Sequence, residues 1–433
     1  MNTTIGTMPE YLTRYFENNN LIGPSSLKMV RKDALARFES LGLPTIKHEE
    51  WKYTNLAQLS KSEFHPALYH TLSKEEVVKD MIAGKDVILL VFENGKLNKD
   101  LSNFSSLPKG ITVGDLADHY EHPAVVKNLA QHASFENEAM VALNTAHISE
   151  GAFIHIAENI KCEKPIHLLF ISGGEENTLA FPRNLLVAEK NSAINVVESF
   201  HSTGNHSAFI NIVTEIVIDE NAKVDWSKVQ LENSSTIHIS QTECSQSADS
   251  IFDIHTITFG GKIVRNNLHI VLNGKNILSN LNGLYVGAGD SLIDNHTLVD
   301  HAMPNCNSNE LYKGVLDGKS KGVFNGKIFV RKDAQKTNAY QSNKNILMSD
   351  EASMNAKPQL EIFADDVKCS HGATTGQLDK EALFYLRSRG IGEELARAFL
   401  TIAFAEDVLN RITNETLREE LKHRISERLD KSK

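Results

Sequence analysis

Two residues near the end of a strand-like run, Cys369 and His371, carry the side chains best suited to metal chemistry. Successive side chains of a strand point to opposite faces, so residues two apart share a face and lie about 6.5–7 Å apart at Cα. A thiolate and an imidazole so placed could bind one soft metal ion or one iron–sulfur cluster. Phe363 and Val367 have the same parity, which predicts an apolar stripe ending at this pair. The spacing alone fits equally well a buried cysteine beside a hydrogen-bonded histidine.

Other short motifs lack the context that their chemistry requires. The segment GVLDGKS, residues 314–320, has three residues between its glycines where a phosphate-binding loop has four, and another strand-like run follows it instead of a helix. Cys306 lies close to His301 in the chain, but that spacing fixes no geometry. The remaining histidines are scattered, and we expect them on the surface or in hydrogen-bonded environments. In the run EEWKYTNL we expect Trp51 to be packed.

Composition limits the class of protein. A length of 433 residues suggests two or three domains, and a formal net charge of −10 argues against a general nucleic-acid binder. It also gives no reason to expect an anionic membrane surface as a partner. No apolar run approaches the length of a membrane span, and the first residues do not resemble a secretory signal. The four cysteines are dispersed, which favours free thiols in a reducing cytoplasm.

Changes in composition and hydrophobic periodicity along the chain predict three domains. Residues 1–148 read as a mostly helical domain, interrupted by a strand–turn–strand around Asn94 and Gly95. Residues 149–376 contain short runs rich in Ile, Val, Thr and Phe between Gly, Asn, Asp and Ser, which is typical of one large β unit. Residues 377–433 are helical again.

The β unit repeats itself. The segment that begins at Asn282 matches the segment that begins at Asn325, an offset of 43 residues. Self-similarity on this scale favours a solenoid of stacked β coils, and two coils of roughly 20 residues would make one period. We therefore expect the two segments in equivalent places two coils apart. A β-sandwich would show similar turn residues without a fixed period.

The last helices are predicted to be amphipathic. Asp379 is placed to cap the first of them. Apolar residues form a stripe in each of the next two, namely Leu395, Phe399, Ile402, Ala403 and Leu409, and then Leu417, Leu421, Ile425 and Leu429. These faces either pack on the chain's own β unit or dock a partner subunit.

Four segments together resemble the SufD subunits of the SUF iron–sulfur cluster assembly machinery. They are IKHEEWKYTNL from residue 46, GKIFVRKDAQKTNAYQSNKNILMSDEA from 326, PQLEIFADDVKCSHGATTG from 358 and DKEALFYLRSRGI from 379. SufB and SufD are paralogues that share a β core. The EEWKYT and CSHGAT forms resemble SufD, and Gly372 follows His371 where a SufB-like chain has a glutamate after its histidine.

This resemblance implies a mainly β protein, with a right-handed parallel β-helix between N-terminal and C-terminal α-helical domains. It implies a non-enzymatic scaffold that pairs with SufB and binds the ABC-type ATPase SufC through its C-terminal helices, with a homodimer as an option in isolation. In the family, the histidine of CSHGAT is implicated at the SufB interface, where a nascent cluster forms transiently. That role carries over to His371, with Cys369 as a weaker candidate.

Two alternatives stay open at this point. The chain could be a SufB-like scaffold that acts as a homodimer. It could also be a polysaccharide-active enzyme, because β-helices often carry such sites and Asp365 and Asp366 are adjacent carboxylates. Dense aromatics and paired carboxylates along the strand runs, which such an enzyme would need, are lacking.

Overall fold

The computed structural model of the chain describes residues 9–13, 23–66, 72–104 and 107–430. Its centre is a β-solenoid of about eight turns, with helices before and after it. Each turn contributes one strand to each of two facing sheets, and the strands within each sheet are parallel through the core. The predicted β-helix between helical regions is therefore confirmed.

From Arg183 onward the strands alternate between the two sheets along the chain. The first sheet contains β1 (His65–Pro66), β4 (Ile111–Asp115), β5 (Ala152–Ile156), β7 (Thr178–Ala180), β8 (Arg183–Ala188), β10 (Ala208–Ile218), β12 (Ile237–Gln246), β14 (Ile263–Leu272), β16 (Leu292–His301), β18 (Lys321–Val330) and β20 (Ser353–Ile362). The second contains β2 (Ile88–Glu93), β3 (Lys96–Asn103), β6 (Ile166–Ser172), β9 (Ala193–Ser202), β11 (Lys223–Gln230), β13 (Ile251–Thr258), β15 (Leu278–Gly287), β17 (Asn307–Leu316), β19 (Asn338–Leu347) and β21 (Lys368–Gly376).

The predicted coil length is wrong. Leu278 pairs with Asn307 and Leu292 with Lys321, so one coil takes 29 residues here. Asn282 and Asn325 are each the fifth residue of their strand, but β15 and β18 belong to opposite sheets. The 43-residue offset therefore spans one and a half coils, because the repeating unit is a single strand with its turn and each coil contains two of them.

The turns that lead from the first sheet to the second show the true period. Most of them place one residue at positive φ, in the left-handed region that asparagine tolerates better than most residues. These residues include Asn191, Asn221, Asp249, Asn276 and Asn305. Their side chains also stack, since the amide of Asn221 donates to Oδ1 of Asn191 at 2.8 Å.

Both sheets begin before residue 149, inside the region predicted to be mostly helical. The predicted hairpin around Asn94 and Gly95 is present as β2 and β3, which pair antiparallel, and β2 also pairs parallel to β6. In the first sheet, β4 pairs antiparallel to β5. The helices of this region are α1 (Ser25–Leu41), α2 (Lys74–Asp80), α3 (Pro123–Asn128) and α4 (Ala139–Ala146), with short 3₁₀ turns at Glu49–Trp51 and Leu116–His119.

The EEWKYT segment packs on the outer face of the first sheet. Trp51 is buried, as expected, and the Arg265 guanidinium lies 4.0 Å from the centre of its ring. Nη1 of Arg265 donates to Oδ2 of Asp294 at 2.9 Å, and the Thr54 hydroxyl donates to the same oxygen. His296 adds a contact of 3.0 Å to the other Asp294 oxygen. A buried charge network thus joins the N-terminal segment to β14 and β16.

The C-terminal helices are α5 (Lys380–Ser388), α6 (Glu393–Leu409) and α7 (Glu415–Asp430). Asp379 caps α5 as predicted, accepting hydrogen bonds from the backbone N–H groups of Glu381 and Ala382. Leu417, Leu421 and Ile425 of α7 are fully buried in a cluster that includes residues of the second sheet, so this face packs on the solenoid. The side chain of Leu429 lies outside the described part of the chain.

The stripe predicted for α6 is divided between two environments. Leu409 is buried together with Val408, but Leu395 and Phe399 are 51% and 46% exposed. The predicted stripe therefore packs on the solenoid only toward its end, where Leu409 is buried and Ile402 is partly buried. The helix uses the side bearing Ala405 and Val408 against the solenoid, which leaves other apolar residues uncovered.

We predict that the Asp294 network makes stability fall in acid. Burial alone would raise the pKa of Asp294, but Arg265 and His296 outweigh it and hold the pKa at about 2. The contribution is present above the ordinary value of 3.8 and is lost as the pH falls toward 2. In urea unfolding, Asp294→Asn should lower the free energy of unfolding by about 3 kcal/mol at neutral pH and remove this acid-dependent part. The exposed Asp290→Asn is the control and should cost less than about 1 kcal/mol; equal effects of the two variants would contradict the prediction.

Candidate functional site

The last coil of the solenoid is uncovered. Within the described part of the chain, strands β20 and β21 each pair with a strand on one side only, so each forms the edge of its sheet. Nearly every residue of β21 is exposed, whereas earlier strands of the same sheet, such as β15, are mostly buried. An edge strand presents unpaired backbone N–H and C=O groups. This end of the solenoid therefore offers a surface suited to strand pairing.

Cys369 and His371 lie on this last strand. Cys369 pairs in register with Ala339, and His371 pairs with Gln341. Cys369 is half-buried and packs in a cluster with Val330 and Ala339, which are fully buried inside the solenoid. His371 has the same parity along the strand, so the two residues share the inward face of the open coil. His371 itself is exposed.

The predicted apolar stripe is wrong. Residues 363–367 form the turn between β20 and β21, so Phe363 and Val367 do not continue the strand. Val367 does pack in the same cluster as Cys369. Phe363 is 60% exposed, and its ring lies 5.5 Å from that of Phe329 on the outside of the coil. The alternation of faces does not extend to Phe363 and Val367, because the strand begins only at Lys368.

The chemistry available to the pair is that of two ligands. Burial raises the pKa of the Cys369 thiol above its ordinary value, which favours the protonated form until a metal or a cation lies nearby. Among the described residues, no group of three or more His, Cys, Asp or Glu side chains is arranged to hold a metal ion. A cluster usually takes four protein ligands, so this chain would supply at most half of them from Cys369 and His371.

The other candidates from the sequence, Cys306 with His301 and the segment GVLDGKS, lie in environments that serve the fold. Cys306 is fully buried and its Sγ donates to the carbonyl of Gly274 at 3.2 Å, while Nε2 of His301 lies 2.9 Å from the hydroxyl of Ser308. A thiol–imidazole pair between Cys306 and His301 is therefore not formed. In GVLDGKS, β17 ends at Leu316 and β18 begins at Lys321, so a strand follows the loop. The expected strand, in place of the helix that a phosphate-binding loop needs, is confirmed.

The adjacent carboxylates of Asp365 and Asp366 lie in the exposed turn before β21. Asp366 forms an ion pair with Lys336 of the neighbouring coil. The two side chains therefore do not face each other across a groove in the way that a glycoside-cleaving pair does.

The first two C-terminal helices present a second exposed surface. The apolar stripes predicted from the sequence did not identify it. Phe384 and Tyr385 on α5 are 74% and 58% exposed, and Leu395 and Phe399 on α6 are also exposed. The two helices pack together, so we define these four residues as the helical patch. Large apolar side chains concentrated in this way are typical of a protein–protein contact.

Comparison with known proteins agrees with this architecture. Residues 170–404 match the family model described as the SUF system FeS cluster assembly SufBD core domain, and residues 6–168 match the SufBD protein N-terminal region. The chain therefore belongs to the SufBD family of iron–sulfur cluster assembly proteins. No helix in the described part of the chain is both long and apolar enough to span a membrane.

Within that family the chain is homologous to SufD. It is 33% identical to the iron–sulfur cluster assembly protein SufD of Escherichia coli over 393 residues, which cover 90% of each chain. It is also 33% identical to a SufBD family protein of Synechocystis sp. over 415 residues, covering 92% of this chain and 90% of the other. Identity to SufD of Bacillus subtilis is 27% over 432 residues, covering 97% and 98%.

We predict that thiol labelling will distinguish the open coil from the core. Cys369 should react with iodoacetamide at least about tenfold faster than Cys306 and Cys244, because both of these are buried. Cys162, which is half-buried like Cys369, is the matched control and should react at a comparable rate. The measurement is peptide mass mapping of the native chain, with the unfolded chain as the reference for full reactivity. Protection of Cys369 equal to that of Cys306 would show that the last coil is closed in the isolated chain.

Proposed function

We propose that this chain is a non-enzymatic cytoplasmic scaffold for iron–sulfur cluster assembly, which pairs with a SufB paralogue and binds the ATPase SufC. The observation that carries the proposal is the uncovered last coil, because it combines free strand edges with the Cys369–His371 pair on one short strand. Membership of the SufBD family and homology to SufD support it.

Pairing through the last coil would satisfy the unpaired backbone groups of β20 and β21. It would also cover apolar side chains that are now partly exposed, including Ile362 and Tyr340. A SufB paralogue is the favoured partner because it shares the same core. A second copy of this chain has the same edges, so a homodimer is the alternative in the absence of SufB.

The cluster would form at this interface and would not stay on the subunit. His371 and Cys369 would lend up to two ligands, with His371 favoured because its ring is exposed and can offer the lone pair of one nitrogen while the other nitrogen is held by a hydrogen bond. The remaining ligands would come from the partner.

The helical patch is the proposed docking site for SufC. It follows the last coil along the chain, while other residues of α6 and α7 are buried against the solenoid. Deleting the helices to test this contact would uncover that core cluster. Point substitutions on the exposed side are therefore the cleaner test.

The site predicts a strong effect of His371→Ala on cluster formation. In the complex reconstituted with SufB and SufC, this variant should reduce the iron and sulfide bound after assembly by about tenfold or more, because a ligand at the interface is lost. Cys369→Ser should do less. Native mass measurement should show the three-component complex intact in both cases, since His371 is exposed and Cys369 is only half-buried. Wild-type cluster content in His371→Ala, with assembly intact, would mean that His371 is not a ligand.

We predict that substitutions in the helical patch weaken SufC binding without unfolding the chain. Phe384→Asp combined with Phe399→Asp should weaken SufC binding by about 100-fold in titration calorimetry, since two exposed apolar anchors are lost. The melting temperature should remain within a few degrees, because neither side chain is buried. Met29→Asp, at an exposed apolar position on α1, is the matched control. Unchanged SufC affinity in the double variant would place the contact elsewhere.

A further inference from the structure

A column of inward-facing residues runs through the second sheet and ends at His371. Register pairing places Val196, Trp226, Ile254 and Leu281 on successive strands, followed by Glu310, Gln341 and His371. The first four are apolar and buried. The column therefore changes from apolar to polar over the three strands that lead to the open end.

The carboxyl of Glu310 is enclosed in the solenoid. The Thr297 hydroxyl donates to its Oε1 at 2.6 Å, and the Gln341 amide Nε2 donates to its Oε2 at 2.7 Å. Burial raises the pKa of Glu310 to about 7. A buried carboxyl with two donors is costly in comparison with an aliphatic side chain, and Leu281 occupies the same column one coil earlier. Coil stacking alone thus gives no reason for a glutamate here.

The Gln341 amide has one side in use and one side free. Its Nε2 is held by Glu310, whereas Oε1 is buried and has no hydrogen-bond donor among the described residues. Space for this amide comes from Gly326 on the facing strand, since a Cβ there would lie 2.4 Å from Nε2. The next residue in the column is His371, about 4.8 Å away along the sheet.

We propose that Gln341, oriented by Glu310, is a positioning residue for His371. The free Oε1 of Gln341 accepts the N–H of one His371 ring nitrogen, and the other nitrogen is thereby left as a lone-pair donor toward the interface. This rests on the proposed function of His371 as a ligand. A ligating histidine commonly has its second ring nitrogen fixed in this way, which sets both the tautomer and the ring plane.

Glu310 determines which end of the amide faces His371. The two ends of a glutamine amide are nearly the same size, so without a fixed acceptor the group can turn over. Of the two ends of the amide, an ionised Glu310 carboxylate can pair only with Nε2, because it accepts hydrogen bonds and cannot donate one to Oε1; it therefore keeps Oε1 toward His371. A side chain at position 310 that still offers an oxygen should preserve this orientation, and an aliphatic one should not.

The test measures the ring itself, apart from cluster assembly. In the full chain with ¹⁵N-labelled histidine, the signals of His371 are identified by their loss in His371→Ala. The wild-type ring should show one dominant tautomer at pH 8, and Gln341→Met should shift its nitrogen signals toward the mixed tautomers of an exposed histidine. Glu310→Leu should do the same, whereas Glu310→Gln should resemble the wild type. If Gln341→Met does not fold, the comparison of Glu310→Leu with Glu310→Gln still tests the positioning role.

A second measurement connects the ring to assembly. In the reconstituted complex, Gln341→Met and Glu310→Leu should lower the rate of cluster formation by about tenfold, the usual effect of losing the partner of a ligating histidine, and Glu310→Gln should restore it. Identical His371 ring signals in all four proteins would overturn the positioning role. Altered ring signals with cluster formation unaffected even in His371→Ala would leave the positioning role standing and refute the ligand role instead.

Discussion

Parallel stacking of coils is the constraint on which the rest of this structure depends. Each inner strand has its backbone groups paired with the coil before and the coil after it, so only the two ends of the solenoid have unpaired edges. At the N-terminal end the two edge strands are β3 and β4, which pair antiparallel to β2 and β5. At the C-terminal end the edge strands are β20 and β21, which run parallel to their neighbours and have no further strand beside them among the described residues. The last coil is the edge that carries Cys369 and His371.

The helices show the same division between fixed and available surfaces. Arg265 and Asp294 hold the N-terminal segment on one sheet, while α7 buries its leucines on the other. Both attachments lie on the flanks of the solenoid, and the N-terminal segment also reaches β20, where Glu49 forms an ion pair with Lys357. The side chains of the helical patch are exposed, so a partner could bind there without displacing buried residues.

Local features were predictable from the sequence, and features that depend on the register between coils were not. The hairpin around Asn94 and Gly95 and the cap at Asp379 depend on neighbouring residues only. The 43-residue match misled because the strand-and-turn unit occurs twice in a coil. The asparagines at positive φ, from Asn191 to Asn305, recur at the spacing of one coil and could have shown the true period. Glu310 and Gln341 are far apart in sequence, and only the ladder of paired strands brings them into line behind His371.

An incomplete site at an uncovered end has a physical consequence for the proposed scaffold. Two ligands on a free subunit would bind iron or a cluster weakly, since a stable cluster needs about four. The same edges that lack backbone partners would bring in the missing ligands when another solenoid pairs with them. Strand pairing and cluster ligation would then be coupled, because each needs the other chain at the same place. The unfilled acceptor on Gln341 is consistent with such an arrangement, since it prepares the ring of His371 from the inside while the ligating face stays open to the partner.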